Sequence, residues 1–137
     1  PEFNPAMIRH GDENIEIYKP LTADITYKVD ERIVDVSDKL KSTALVEESI
    51  IKNALTGEVH AKILRTIILG GIGGFGFKGK KIIPKYPAVP SRAPDAVVEE
   101  KSPANTAFIY RLNGDINPLH VDPNFAAAGG FDRPIIH

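Results

Sequence analysis

The sequence contains no cysteine, which excludes disulfides, thiolate metal sites and cysteine nucleophiles. An excess of either charge is also missing, since 17 basic and 18 acidic residues give a formal net charge of −1 at pH 7. That balance offers no electrostatic basis for binding nucleic acid or an anionic membrane. We therefore expect neither nucleic acid nor a membrane as a partner.

Long hydrophobic runs are lacking as well. The longest apolar stretch, TIILGGIGGFGF, is too short and too rich in glycine to cross a bilayer as a helix. What remains is an ordinary globular composition, with 42% hydrophobic and 26% charged residues in a chain of 137. A chain of this length can bury most of a hydrophobic core.

The first half of the chain alternates apolar and polar side chains with the period of β-strands. The pattern runs through IEIYKPL, DITYKVDERIVDVSD and VHAKILRTIILG, with short turn-forming segments between them. These stretches predict three or four strands joined as an antiparallel meander. The segment TALVEESIIKNAL fits either a strand or a helix, because its periodicity is ambiguous.

A proline-rich stretch separates this half from the rest of the chain. Four prolines, at positions 84, 87, 90 and 94, interrupt the sequence IIPKYPAVPSRAPDA, as is typical of a linker between two structural units. We place the boundary at residue 90. The predicted units are 1–90, mostly antiparallel strands, and 91–137, a linker followed by helical segments.

Helix signals dominate after the linker. Ser102 followed by Pro103 predicts an N-cap and a first-turn proline, and Gly114 provides a left-handed exit. Asp122 and Pro123 repeat the capping signal before a short helix over NFAAA, which two glycines end. The last segment, DRPIIH, predicts the start of a third helix.

A glycine-rich run matches a dinucleotide-binding pattern by spacing alone. Gly71, Gly73 and Gly76 satisfy G-x-G-x-x-G after a strand-like segment. A dinucleotide site also needs a helix that begins at the third glycine. The sequence that follows, FKGKKIIPKYP, cannot form that helix, so we expect a loop without a dinucleotide.

The segment GDINPLH concentrates polar chemistry between two predicted helices. Pro118 restricts Asn117 to extended geometry, so Asp115, Asn117 and His120 project from a stiff loop. An aspartate and a histidine together can hold a water molecule and move its protons. The same residue types also build ordinary tight turns, and a metal site is a weaker option, because Asp122 is expected to cap a helix.

The stretch YRLNGDINPLHVDPNFAAAGGFDRPIIH resembles the signature of the MaoC-like, hydratase 2 family. The spacing of Gly-Asp, Asn-Pro, Leu-His, Asp-Pro, Gly-Phe and Pro-Ile-x-His is all present. The resemblance continues upstream through HGDENIEIYKPL, VDVSDKL, GGFG and RAPDAV, and so covers nearly the whole chain. It implies an α+β hot-dog fold, part of a double hot dog, in which an antiparallel sheet packs with helices.

The resemblance also implies an activity, the reversible hydration of trans-2-enoyl-CoA to (3R)-3-hydroxyacyl-CoA in fatty acid β-oxidation. Asp115 and His120 would be the catalytic pair that grips the attacking water, and Asn117 would help to set the loop. The substrate-binding residues that it implies are His10, Gly11, Lys39, Asp115, Ile116, Asn117, Pro118, Leu119 and His120.

Several further expectations follow from the same resemblance. It implies no metal and no cofactor apart from the CoA of the substrate, a peroxisomal location, and a homodimer or association with another chain. It also implies that the chain covers about half of a complete domain and is nearly inactive alone. Two alternatives stay open: a hot-dog acyl-CoA thioesterase and a non-catalytic acyl-CoA binding or structural module.

Overall fold

The structure, a computed structural model, describes residues 4–80, 82 and 86–137. The chain divides into two compact units, Pro1–Pro84 and Lys85–His137. The boundary that the sequence predicts at residue 90 stays a prediction. Of the four linker prolines, Pro84 lies outside the described residues, and the other three lie between positions 86 and 105, where the chain has neither helix nor strand.

The first unit is a four-stranded antiparallel sheet that follows a 3₁₀ turn at Pro5–Met7. Its strands are β1 (Ile8–Ile17), β2 (Tyr27–Asp38), β3 (Ser42–Asn53) and β4 (Val59–Gly70). The ambiguous segment TALVEESIIKNAL is therefore a strand. On β3 the alternate residues Ala44, Val46 and Glu48 are all buried, which is the period-two pattern of a strand packed on one face.

The strand order is β1-β4-β3-β2, so the predicted meander is correct for β2, β3 and β4 and wrong for β1. β1 pairs with β4 instead of β2, with Ile17 opposite Ala61. The connection from β1 to β2 crosses the end of β4, where the amides of Tyr18 and Lys19 donate to the carbonyl of His60 at 2.8 and 3.1 Å. These bonds satisfy backbone donors that a tight hairpin would have paired.

One face of the sheet carries an apolar row whose two ends are exposed to solvent. Directly paired residues lie on the same face, so Ile17, Ala61, Ile51 and Val29 form this row across all four strands. Ile17 is 65% and Val29 is 49% exposed, whereas Ala61 is 1% exposed. The same face also carries the Glu47–Arg65 ion pair. Exposed apolar side chains on a sheet are normally covered by a second layer.

The opposite face carries a charged cluster centred on Glu48, whose side chain is only 7% exposed. Its carboxylate contacts Lys62 Nζ at 2.9 Å and Arg32 Nη2 at 2.6 Å. The hydrogen bond from Lys62, followed by that from Arg32, lowers the pKa of Glu48. The carboxylate therefore favours the folded state above its unfolded-state pKa of about 4.3, and that contribution is lost as the pH falls through the lower folded pKa.

We predict that Glu48→Gln lowers the free energy of unfolding by about 2 kcal/mol at pH 7, the typical value of charge-assisted hydrogen bonds. Urea unfolding at several pH values measures the effect, and the difference should shrink below about pH 4. Glu58→Gln is the matched control, because the Glu58–Lys19 pair is about half exposed and solvent screening should leave it with little effect on stability. Equal losses in the two variants would contradict the prediction.

The second unit is built from short helices. They are α1 (Thr106–Tyr110), a 3₁₀ turn at Arg111–Asn113, a 3₁₀ turn at Pro118–His120, and α2 (Pro123–Ala128). No helix in the described ranges is long and apolar enough to cross a membrane.

Two helix boundaries agree with the predicted signals. Gly114 adopts φ 107° at the end of the turn that follows α1, a conformation that glycine tolerates without a Cβ penalty. The side chain of Asp122 accepts hydrogen bonds from the amides of Asn124 and Phe125, and Pro123 opens α2. α2 ends at Gly129, and Gly130 has φ 84°.

Two other helix predictions are wrong. α1 begins at Thr106 and not after Ser102, because the carbonyl of Pro103 accepts bonds from the amide and hydroxyl of Thr106 and closes a separate turn first. The segment DRPIIH forms no helix. Pro134 has no amide to donate, and the carbonyl of Ile135 contacts the ring of His120, so the segment stays irregular.

Candidate active site

The loop between α1 and α2 is held by bonds among its own residues. Asn117 has φ −52° and ψ 122°, the extended geometry expected before Pro118, and its side chain accepts from the amide of Leu119 at 3.0 Å. Asp115 Oδ1 accepts from the amide of Asn117 at 3.0 Å. Leu119 is 5% exposed and anchors the turn. The polar side chains are therefore fixed by a local network and one apolar anchor.

Arg111 gives the loop a second support. Its Nη1 donates to the carbonyl of Ile116 at 2.8 Å and lies 3.4 Å from the carbonyl of Asn117. The spacing of the sequence gave no signal of this contact. Ile116 and Pro118 contribute backbone geometry to the loop, and their side chains are exposed.

The ring of His120 has one defined hydrogen bond. Its Nδ1 lies 2.9 Å from the carbonyl oxygen of Ile135. A carbonyl can only accept, so Nδ1 carries the hydrogen and donates it. In the neutral ring Nε2 is then a free lone pair, the form that a general base requires.

The structure adds His137, which the sequence reasoning did not select as a site residue. Its side chain is 4% exposed, and its ring stacks on His120 with 3.8 Å between centroids and 25° between planes. Its Nε2 lies 3.3 Å from the backbone carbonyl of Asp115 and 4.0 Å from Asp115 Oδ2. The histidine in the Pro-Ile-x-His element was the signal that could have identified it.

One carboxylate oxygen of Asp115 and one ring nitrogen each of His120 and His137 all lie within 4.8 Å of one another. Three such groups invite the question of a metal. An imidazole binds a metal through the lone pair in its ring plane, at about 2.0–2.1 Å for zinc. Stacked rings present nearly parallel planes, so no single ion can lie in both at that distance. The stacking therefore does not suit a single ion bound by both rings.

A cavity of about 660 Å³ lies in the second unit with His120 in its wall. Its lining is mainly apolar, including Phe108, Val121 and Ile136, and Arg133 is the charged side chain among the lining residues. This combination suits an apolar chain that carries a polar or anionic group.

The first unit brings together two of its three predicted binding residues. Gly11 and Lys39 line a cavity of about 550 Å³ with Asp12 and Lys78. Gly11 lies at a bulge in β1, and a Cβ there would meet the carbonyl oxygen of Thr66 at 3.0 Å. A side chain at this position would be crowded, and the neighbouring strand would have to shift by a few tenths of an ångström to admit it.

His10, the third predicted residue of the first unit, is not among the lining residues of that cavity. Its side chain is 56% exposed, and its Nε2 lies 3.7 Å from Glu13 Oε2. The substrate-binding roles of all three residues, and the catalytic roles of Asp115, Asn117 and His120, stay predictions.

The glycine-rich loop uses its amides within the protein. The carboxylate of Asp38 accepts from the amides of Gly74 at 2.9 Å and Gly76 at 2.5 Å, and these bonds, that of Gly76 first, lower the pKa of Asp38. Between Gly70 and position 80 no helix follows the glycines. These two amides are therefore paired within the protein, and the expectation that the loop binds no dinucleotide stays a prediction.

Comparison with known families covers both units. Residues 1–71 match the MFE-2 hydratase 2 N-terminal domain, and residues 85–137 match the MaoC like domain. The chain belongs to the MaoC-like, hydratase 2 family. The α+β hot-dog fold predicted from the motif resemblance is thereby confirmed.

Individual relatives agree with this assignment. The chain is 35% identical to "Enoyl-CoA hydratase 2, peroxisomal" of Arabidopsis thaliana, over 99% of this chain and 47% of that protein. It is 41% identical to "Peroxisomal hydratase-dehydrogenase-epimerase" of Neurospora crassa, over 100% of this chain and 16% of that protein. The crystal structure of a MaoC-like dehydratase from Phytophthora capsici superposes with a TM-score of 0.75 at 35% identity, covering 98% of this chain and 46% of that one. The chain thus spans about half the length of the Arabidopsis hydratase and a smaller share of the Neurospora enzyme.

Proposed function

We propose that the protein containing this chain catalyses the reversible addition of water to trans-2-enoyl-CoA, giving (3R)-3-hydroxyacyl-CoA. The observation that carries the proposal is the cluster of Asp115 and His120 on one braced loop, in a chain that belongs to the hydratase 2 family. Either residue taken alone would be equally consistent with an ordinary tight turn.

The chemistry needs one base and one group that orients water. The thioester carbonyl withdraws electrons from the double bond, so the water oxygen adds at the β-carbon. His120 Nε2 has the free lone pair to accept a hydrogen from this water, and the Asp115 carboxylate can accept the other. As the water oxygen bonds to the β-carbon, one of its protons passes to the Asp115–His120 pair and the electrons of the double bond move towards the thioester oxygen as an enolate. The pair then returns a proton to the α-carbon, and the enolate reverts to the thioester carbonyl. The sum is addition of H₂O, with no oxidation or reduction.

Two cavities, each within its own unit, support the proposal for substrate binding. The apolar lining around His120 suits the acyl chain near the reacting carbons. In the first unit, Lys39 and Lys78 line the cavity that Gly11 also lines, and their ammonium groups suit a phosphate of CoA, while Asp12 and Asp35 line the same cavity. The proposed reaction requires neither a redox cofactor nor a metal.

The cellular setting is part of the proposal. Relatives in Arabidopsis and Neurospora carry the word peroxisomal in their names, and the Neurospora protein is also named as a dehydrogenase and epimerase. We infer a role in peroxisomal fatty acid β-oxidation. Fusion to further catalytic domains is one arrangement among its relatives. The exposed apolar side chains of Ile17 and Val29 support packing against another layer, supplied by the same protein, by a second copy in a homodimer or by another chain.

The direct test follows the enoyl-thioester absorbance of crotonyl-CoA and longer enoyl-CoAs when the full-length protein is added. We expect the absorbance to fall without release of free CoA thiol, and the product to be the (3R)-hydroxyacyl thioester. Release of thiol from saturated acyl-CoA would favour the thioesterase. Binding of acyl-CoA with neither reaction would favour a non-catalytic module.

A further inference from the structure

We propose that His137 is a positioning residue, which holds His120 and Asp115 in register for the addition of water. The inference rests on the proposed hydratase function and goes beyond it by adding a third residue to the site. His137 lies between two aromatic rings. Its centroid is 3.8 Å from that of His120 and 4.3 Å from that of Tyr110, with planes 25° and 30° apart.

The stack restricts the tilt of the His120 ring, which its hydrogen bond alone does not fix. The bond from Nδ1 to the carbonyl of Ile135 fixes one ring atom, but a ring held at one point can still tilt about it. The face of His137 closes one side of the His120 ring, and Tyr110 supports His137 from behind. The direction of the Nε2 lone pair is thereby set by packing.

His137 also reaches the other member of the pair. Its Nε2 lies 3.3 Å from the backbone carbonyl of Asp115, so it acts as the donor, and it lies 4.0 Å from Asp115 Oδ2. One ring thus contacts the base through its face and the carboxylate residue through its edge. A phenylalanine could supply the first contact but not the second.

The remaining nitrogen of His137 argues against a purely structural role. Nδ1 is buried and has no hydrogen-bond partner among the described residues, which costs stability. A residue selected only for packing would avoid that cost, since an apolar ring fits the same stack. A buried polar atom without a partner calls for an explanation, and a role of the ring in the site supplies one.

The test compares variants of the full-length protein in the enoyl-CoA hydration assay. His137→Leu removes the ring at similar volume, and we expect kcat to fall about 100-fold, as for a small misplacement of reacting groups, with KM nearly unchanged. His137→Phe restores the stack without the Asp115 contact, and we expect it to recover part of kcat. If both variants have the kcat of the unaltered protein, or if the loss lies in KM alone, the proposal is overturned.

A double-substitution cycle separates positioning from stability. Because His137 acts in part through His120, adding His137→Leu to a His120→Ala protein should cause a clearly smaller further loss in kcat than the same substitution causes in the unaltered protein. Equal losses in both backgrounds would overturn the proposal and indicate a structural role. If His137→Leu hydrates enoyl-CoA as fast as the unaltered protein, this inference alone is contradicted. If the unaltered protein cannot hydrate enoyl-CoA, the proposed function is contradicted, and this inference with it.

Discussion

Asp115→Asn and His120→Ala are each expected to lower kcat for enoyl-CoA hydration about 10²–10⁴-fold, the usual contribution of a general acid or base. Asparagine keeps an oxygen that can accept from the amide of Asn117, so the loop should hold its shape while the carboxylate charge is lost. Alanine removes the His120 lone pair and its bond to Ile135, which should cost about 1 kcal/mol of stability. Steady-state kinetics and thermal unfolding, measured on the full-length protein, separate the two effects.

Asp122→Asn is the matched control for the charge change. Asp122 lies close in sequence but caps α2 through the amides of Asn124 and Phe125, and asparagine is about as good an N-cap as aspartate. We expect this variant to keep the activity of the unaltered protein. Comparable losses in Asp115→Asn and Asp122→Asn would mean that Asp115 is a turn residue without a catalytic role.

The parts of the fold that could be read from the sequence depend on local rules. The alternation on β2 and β4, the cap at Asp122 and the left-handed exit at Gly114 each follow from neighbouring residues. The same locality explains why the loop geometry before Pro118 was predictable, since proline restricts the residue that precedes it.

The missed features depend on contacts between distant residues. Nothing in β1 itself shows that it pairs with β4 instead of β2, because strands with the same alternation can pair with either neighbour. Likewise, the stack of His137 on His120 joins residues that are far apart along the sequence. The predicted start of α1 at Ser102 was wrong because Pro103 first closes a turn with Thr106, a competition that capping statistics do not resolve.

Lys39→Ala is expected to raise KM for enoyl-CoA about 10–100-fold with little change in kcat, the range for one charge-assisted hydrogen bond. Lys39 lines the cavity beside Gly11, and an ammonium there can meet a phosphate of CoA without touching the reacting carbons. A contact made equally in the ground state and transition state changes binding and leaves kcat alone. Lys41→Ala is the matched control, because Lys41 is an exposed lysine of the same turn and does not line the cavity.

The substrate itself can locate this contact. A pantetheine thioester of the same enoyl chain lacks the nucleotide phosphates, so the KM of the unaltered protein should rise towards that of Lys39→Ala, and the substitution should then have little further effect. That convergence is the pattern expected when one removed group was the partner of the other. If Lys39→Ala raises KM equally for the CoA and pantetheine substrates, the lysine does not contact the nucleotide phosphates. If Lys41→Ala raises KM as much as Lys39→Ala does, the effect is general electrostatic attraction. In that case the cavity of the first unit is not a CoA site.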